Sequence, residues 1–141
     1  TSSTPAPAAA GFTAAAVDAL ALELRRLLAD AFALYLKTKN FHWHLRGRHF
    51  RDYHLLFDEQ AAELLAMTDE LAERARKLGA PTLRSVGDIA RHQRLADNDE
   101  ADVTAARMLT ELREDNERFT AFLRQAHAVC DTYGDIATAS M

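Results

Sequence analysis

Four residues with metal-ligand side chains, His54, Asp58, Asp69 and Glu73, lie along one predicted helix. At 100° per residue they fall within an arc of roughly 100° on one helix face. His54 and Asp58 are i, i+4 neighbours, as are Asp69 and Glu73, so each pair can present its donors to one point. Asp58 and Asp69 are separated by about 16 Å of helix axis, so one helix cannot bring all four to one ion. A second copy of the helix, antiparallel across a two-fold axis near Glu63 and Leu64, would set His54 and Asp58 of one chain beside Asp69 and Glu73 of the other. Such an isologous contact creates the same site twice per dimer. Mixed imidazole and carboxylate donors suit iron, zinc or manganese rather than copper(I), which prefers sulfur. Taken singly, each residue reads equally as a solvated or salt-bridged side chain; the joint placement on a partly apolar face carries the metal reading.

His42 ends the first predicted helix in Phe41-His42-Trp43-His44. Two residues turn a helix by about 200°, so His42 and His44 do not form a two-ligand clamp and one of them at most reaches the site. His49, His92 and His127 have no partners at ligand spacing. No Glu-x-x-His occurs, which removes the intrachain di-iron bundle pattern. No His-Glu-x-x-His or Gly-rich phosphate loop occurs either. Cys130 lies on an apolar stripe and reads as core rather than nucleophile.

The elements that must position these residues follow from composition and periodicity. The 141 residues fit one domain, 48% hydrophobic with five glycines and three prolines, a profile that favours an all-α fold. The net charge of -4 gives no general reason to expect nucleic-acid binding. The single cysteine excludes an internal disulfide framework and fits a reducing compartment. No apolar run approaches a membrane span, and Thr1 to Ala10 lacks the basic start and apolar middle of a signal peptide. Residues 1–11 read as a flexible tail without Lys or Arg, and 12–141 as a helical bundle domain.

Thr13 is a candidate N-cap for a first helix to about Phe41, with Leu20, Leu24, Leu27, Ala31 and Leu34 on its packed face. Gly47 breaks the chain. A second helix runs from about Phe50 to Leu78, ended by Gly79 and Pro81. Its main stripe is Tyr53, Phe57, Gln60, Leu64, Met67 and Leu71. Leu55, Ala62, Leu65, Ala66 and Ala72 form a second apolar face that shares its side with the ligand-type residues and calls for a partner helix. A connector holds a short helix around Gly87–His92. A third long helix is predicted from about Glu100 to Asp131, with Asp97, Asp99 and Asp102 at its start and a stripe of Ala105, Leu109, Leu112, Asn116, Phe119, Leu123, Ala126 and Cys130. Gly134 ends it, and Asp135 to Met141 begins a fourth.

The run Asn40-Phe41-His42-Trp43-His44-Leu45-Arg46-Gly47, continuing through His54-Leu55-Leu56-Phe57-Asp58 to Asp69-Glu70-Leu71-Ala72-Glu73-Arg74, closely resembles the Dps family of mini-ferritins. The resemblance covers residues from about 15 to 141. It implies a ferritin-like four-helix bundle with a short helix in the long connection between helices two and three. Twelve such subunits form a hollow homododecamer in that family. It implies a ferroxidase centre at each two-fold interface, with His42, His54 and Asp58 from one chain and Asp69 and Glu73 from its neighbour. Trp43 matches the family tryptophan beside the centre. The implied reaction is oxidation of Fe(II) by hydrogen peroxide or, more slowly, oxygen, with ferric mineral stored inside the shell. Glu59 and Glu63 match family positions that line the cavity, where they would collect Fe(III); a solvated acidic face is the competing reading. Asp131 and Asp135 match acidic positions around three-fold pores, with capping or turn roles as the competing reading.

Two departures bear on function. The resemblance places a long fourth helix after Thr138-Ala139-Ser140, but only its truncated start precedes Met141. Family members that bind DNA often use a Lys-rich tail. Here the tail is not basic, and twelve copies at -4 carry about -48, which argues against DNA binding. The expectation is therefore an iron-oxidising, iron-storing protein of the bacterial cytoplasm or nucleoid that protects against oxidative damage. The rivals are a DNA-compacting structural protein with incidental metal binding, a plain helical interaction module, and a zinc-binding bundle.

Overall fold

The computed structural model describes residues 11–141. The predicted tail lies outside them except for Gly11. Five helices follow in order: α1 Ala14–His44, α2 Phe50–Lys77, α3 Val86–His92, α4 Ala105–Tyr133 and α5 Ile136–Ala139. No strand occurs among the described residues. No helix among them is long and apolar enough to cross a membrane.

Several boundaries have a local cause. Thr13 caps α1 by accepting a hydrogen bond from the Ala16 N–H at 3.1 Å. Ser85 caps α3 through the Asp88 N–H and Thr104 caps α4 through the Arg107 N–H. Gly134 ends α4 at φ 70°, the left-handed conformation that costs a side chain energy and glycine none. The third long helix starts at Ala105, five residues later than the sequence pattern predicts. The Asn98 side chain binds the Glu100 N–H, and Thr104 takes the cap, so 97–104 follows local side-chain bonds instead of a helix. Asp97, Asp99 and Asp102 consequently lie in the connection, and the first turn of α4 holds no acid.

α1 is the centre of the bundle. It packs along α2, α3 and α4, whereas α2 and α4 share no comparable seam. All five predicted stripe residues of α1 are buried, with Ala21, Leu28 and Phe41 added. On α2 the buried line is Phe57, Ala61, Leu64, Thr68, Leu71 and Ala75. Tyr53, Gln60 and Met67 are half-buried at its margin. On α4, Met108 and Asp115 are buried where the sequence suggested Leu109 and Asn116; Leu109 is half-buried and Asn116 exposed. Asp115 enters the core because Lys37 meets it there at 2.7 Å, with both side chains largely buried. Cys130 is core, and burial beside Asp135 and Asp131 pushes its thiol up to about 11.

Asp30 fixes the connector. Its carboxylate is fully buried and accepts from the Arg94 N–H at 2.6 Å, the Leu95 N–H at 3.0 Å and Arg94 Nε at 2.8 Å. The Arg94 guanidinium also lies 3.9 Å over the Phe122 ring. One acid on α1 thereby ties the chain between α3 and α4 to the bundle.

The fourth helix is a single turn in the described residues. An apolar groove of about 320 Å³, lined by Leu24, Leu27, Leu71, Leu123 and Ala126 among others, stays open beside it. Asp135 caps α5 and is 2% exposed. Burial alone would push its carboxyl up. The Thr138 hydroxyl and N–H and the Arg74 guanidinium at 2.8 Å outweigh burial and hold it below the ordinary value. A carboxyl lowered on folding contributes stability above its unfolded pKa of about 4, and loses it as pH falls through the folded value. We therefore expect the α5 cap to hold from neutrality to about pH 4 and to open below it. Thr138 amide exchange across an acid titration measures this; α5 loosening above pH 5 would contradict it.

Candidate metal centre

The ligand-type residues sit where α1 and α2 run alongside each other. α1 continues helically to His44, three residues past the predicted end, and Leu45 leads into the turn at Gly47. His42, 8% exposed, faces α2, while His44 is exposed and places Nδ1 2.8 Å from the Asn40 carbonyl. Of the His-x-His pair, His42 alone joins the cluster.

His42 and His54 are held by crossed backbone bonds. His42 Nδ1 lies 2.6 Å from the His54 carbonyl oxygen, and His54 Nδ1 lies 3.0 Å from the His42 carbonyl oxygen. A carbonyl only accepts, so each Nδ1 must donate. In the neutral ring that leaves both Nε2 atoms as free lone pairs, the form in which imidazole binds metal. Partners of this kind orient ligand histidines and set their tautomer. The two rings stack at a centroid distance of 3.6 Å and an interplanar angle of 18°. The exposed Phe50 ring lies on His54 in turn, at 4.8 Å and 24°.

His42 Nε2 is 3.9 Å from Asp58 Oδ1. Two donors at that spacing can share an ion with bonds of about 2.1 Å each. Lys39 donates to the same Oδ1 at 2.9 Å. Its hydrogen bond and positive charge hold the Asp58 carboxyl below the usual carboxylate range. Lys39 also lies 5.8 Å from the centre of the Trp43 ring, which is 57% exposed.

The second pair stays apart. Asp69 and Glu73 are exposed further along α2, and among the described residues no three His, Cys, Asp or Glu side chains of one chain converge as a metal site. His42 contacts His54 and Asp58 pairwise, while Asp69 and Glu73, further along α2, reach none of the three. Leu55 and Leu65 beside them are 51% and 44% exposed. Glu59 and Glu63 are exposed on α2, and Asp131 is exposed 3.3 Å from His127, an i, i+4 partner that the sequence reading of His127 passed over. His49 tilts against Tyr53, and His92 Nδ1 bonds the Asp88 carbonyl. Lys39 and Phe50 are participants that the ligand spacing did not flag. Their signal was position alone, one helical turn before His42 and before His54.

Comparison with known proteins places the chain. A family model described as a ferritin-like domain matches residues 21–141. Dps from Thermosynechococcus elongatus superposes with a TM-score of 0.86 at 32% identity, over 89% of this chain and 80% of that one. The chain belongs to the Dps family of mini-ferritins. DpsC from Streptomyces coelicolor aligns with this Dps chain at a TM-score of 0.90 and 28% identity, over 96% of this chain and 79% of the other. DNA protection during starvation protein 1 of Deinococcus radiodurans is 39% identical over 118 residues, which is 84% of this chain. The Dps chain spans 57% of that relative's length. The helical bundle expected from the sequence is thus the ferritin-like fold of these relatives.

Proposed function

We propose that this Dps chain oxidises Fe(II) at centres shared between two-fold-related copies and stores the ferric product inside a hollow dodecamer. The observation that carries the reading is the paired freeing of His42 and His54 Nε2 by each other's carbonyls, next to Asp58, with two further carboxylates on the same α2 face and too far away to serve their own chain. His42, His54 and Asp58 bind the metal from one side, and Asp69 and Glu73 of the second copy close it from the other. The exposed leucines around these residues supply apolar surface for that contact. Iron is the substrate here. The three carboxylates of the centre, Asp58, Asp69 and Glu73, favour Fe(III), the harder ion, over Fe(II), which lowers the potential. Two Fe(II) each give one electron, and hydrogen peroxide takes both with two protons, so that its O–O bond breaks and two waters form. Oxygen carried through to two waters takes four electrons and four protons, and so four Fe(II). Trp43 stands beside the centre. Glu59 and Glu63 face the cavity and collect Fe(III) in this reading, and Asp131 lines the three-fold pore. Asp135 belongs to the same pore region and acts there through the buried cap it makes with Arg74.

Native mass and iron turnover together test the proposal. The expected result is a particle of about twelve subunits that consumes two Fe(II) per peroxide, with Asp58→Ala plus Glu73→Ala slowing oxidation at least tenfold. Unchanged oxidation in that variant would exclude the centre. A gel shift at physiological salt addresses the DNA-compacting rival, and retained DNA at that salt would favour it.

Lys39 competes with iron for Asp58 Oδ1 and adds a positive charge beside it. Lys39→Met should tighten anaerobic Fe(II) binding at pH 7 by roughly two- to five-fold, the scale of one exposed ion pair. Weaker binding in that variant would instead mean that Lys39 holds Asp58 in its ligating position.

A further inference from the structure

Phe50 is an aromatic residue with no place in the hydrophobic core. It opens α2, is 44% exposed and lies outside the cluster of buried and partly buried apolar residues. What it does touch is the His54 ring, at a centroid distance of 4.8 Å and an angle of 24°. The same imidazole also stacks on His42, at 3.6 Å and 18°. His54 is therefore near-parallel to two other rings, Phe50 from its own helix and His42 from α1.

The crossed carbonyl bonds fix where each imidazole Nδ1 points, but one hydrogen bond leaves a ring free to tilt about that axis. His42 is held in the bundle at 8% exposure, whereas His54 is only half-buried and has the Phe50 ring stacked on it. A ring stacked in offset contact on the imidazole opposes that tilt, because tilting breaks the contact between the two faces. We propose that Phe50 is a positioning residue for iron binding: its ring clamps the His54 imidazole against His42 and so aims Nε2 of His54. This rests on the proposed function of the centre. Phe50 touches neither iron nor oxidant in this role and acts only through His54.

Co(II), whose d–d absorption reports ligand geometry, provides a probe independent of turnover. His54→Ala, Phe50→Ala, Phe50→Leu and Phe50→Tyr would be titrated with Co(II) alongside the parent, with native mass and thermal melts recorded for each. His54→Ala should abolish the parent spectrum. Phe50→Ala should weaken Co(II) binding about tenfold or more and alter the band shape, within the range found for residues that orient metal ligands. Its melt should stay close to the parent's, because an exposed ring outside the core contributes little to stability. Phe50→Tyr should restore both affinity and spectrum, and Phe50→Leu, apolar but not planar, should restore neither. Loss in His54→Ala with parent-like binding in Phe50→Ala would overturn the clamp and leave the centre standing. Parent-like binding in Phe50→Leu would also overturn it, since bulk would then suffice. A Phe50→Ala protein that no longer assembles would assign the ring to the contact between copies and overturn it too. Parent-like binding in His54→Ala would reject the centre itself.

Discussion

Mixing two impaired variants should restore activity. In the proposed function, Asp58→Ala and Glu73→Ala each damage every shared centre when present alone, because the two residues would come from opposite sides of each contact. In a dimer with one copy of each variant, one centre receives both alanines and the other receives neither. Random reassociation makes about half the dimers mixed, and half of their centres are intact. Dissociated and reassembled mixtures should therefore recover roughly a quarter of the parent rate of Fe(II) oxidation. Each variant taken through the same treatment alone should recover none of it. A centre made within one chain would give no recovery, since each chain would still carry its own defect. The experiment thus separates a shared centre from an internal one without a structure of the assembly. Within one chain, His42 contacts His54 and Asp58 across α1 and α2, and Asp69 and Glu73 stand apart from that pair of contacts.

Asp30→Ala should be among the most damaging single substitutions for stability. The carboxylate is fully buried and serves two backbone N–H groups and the Arg94 guanidinium. Its removal leaves a largely buried cation and two donors without partners. Breaking a buried pair in this way costs about 3–5 kcal/mol, where replacing both partners would cost far less. The melting temperature should fall by on the order of 10 °C or more for a domain of this size. Asp30→Asn keeps an oxygen for the backbone donors and should lose less. A urea melt gives the comparison. A loss under about 1 kcal/mol for the alanine variant would mean that the connector is held mainly by its apolar contacts, with Leu95 the foremost, at 2% exposure.

The parts of the fold that periodicity could express were legible. Leu20, Leu24, Leu27, Ala31 and Leu34 form an uninterrupted stripe because α1 is packed on several sides. Thr13, Gly79 and Gly134 mark ends because their backbone or side-chain roles are local. The start of α4 was not legible, since an acidic run followed by Thr104 reads as a helix entrance while Asn98 and Thr104 choose a later one. Asp115 was missed for a different reason. A charge on an apolar stripe looks like an interruption until its partner is known, and Lys37 stands 78 residues away. The signal that existed was a pair of opposite charges, each three residues beyond a core leucine, Leu34 and Leu112. At the candidate centre, the side chains that offer donors to a metal could be picked out by type and spacing. The carbonyls of His42 and His54 could not, because backbone acceptors are common to all residues and only tertiary packing selects two of them.

The crossed bonds also make the hairpin of α1 and α2 a gauge of its own alignment. Sliding one helix along the other by a single residue moves each ring about 1.5 Å past its acceptor and opens both bonds together. Both bonds lie within one chain, so the direction of each Nδ1 is fixed without a second copy. In the proposed function, a newly made subunit already carries the rigid jaw of a vice, and docking has only to swing two carboxylates against it. The entropic cost of arranging the histidines is met during synthesis, so the iron-handling step is free to be fast.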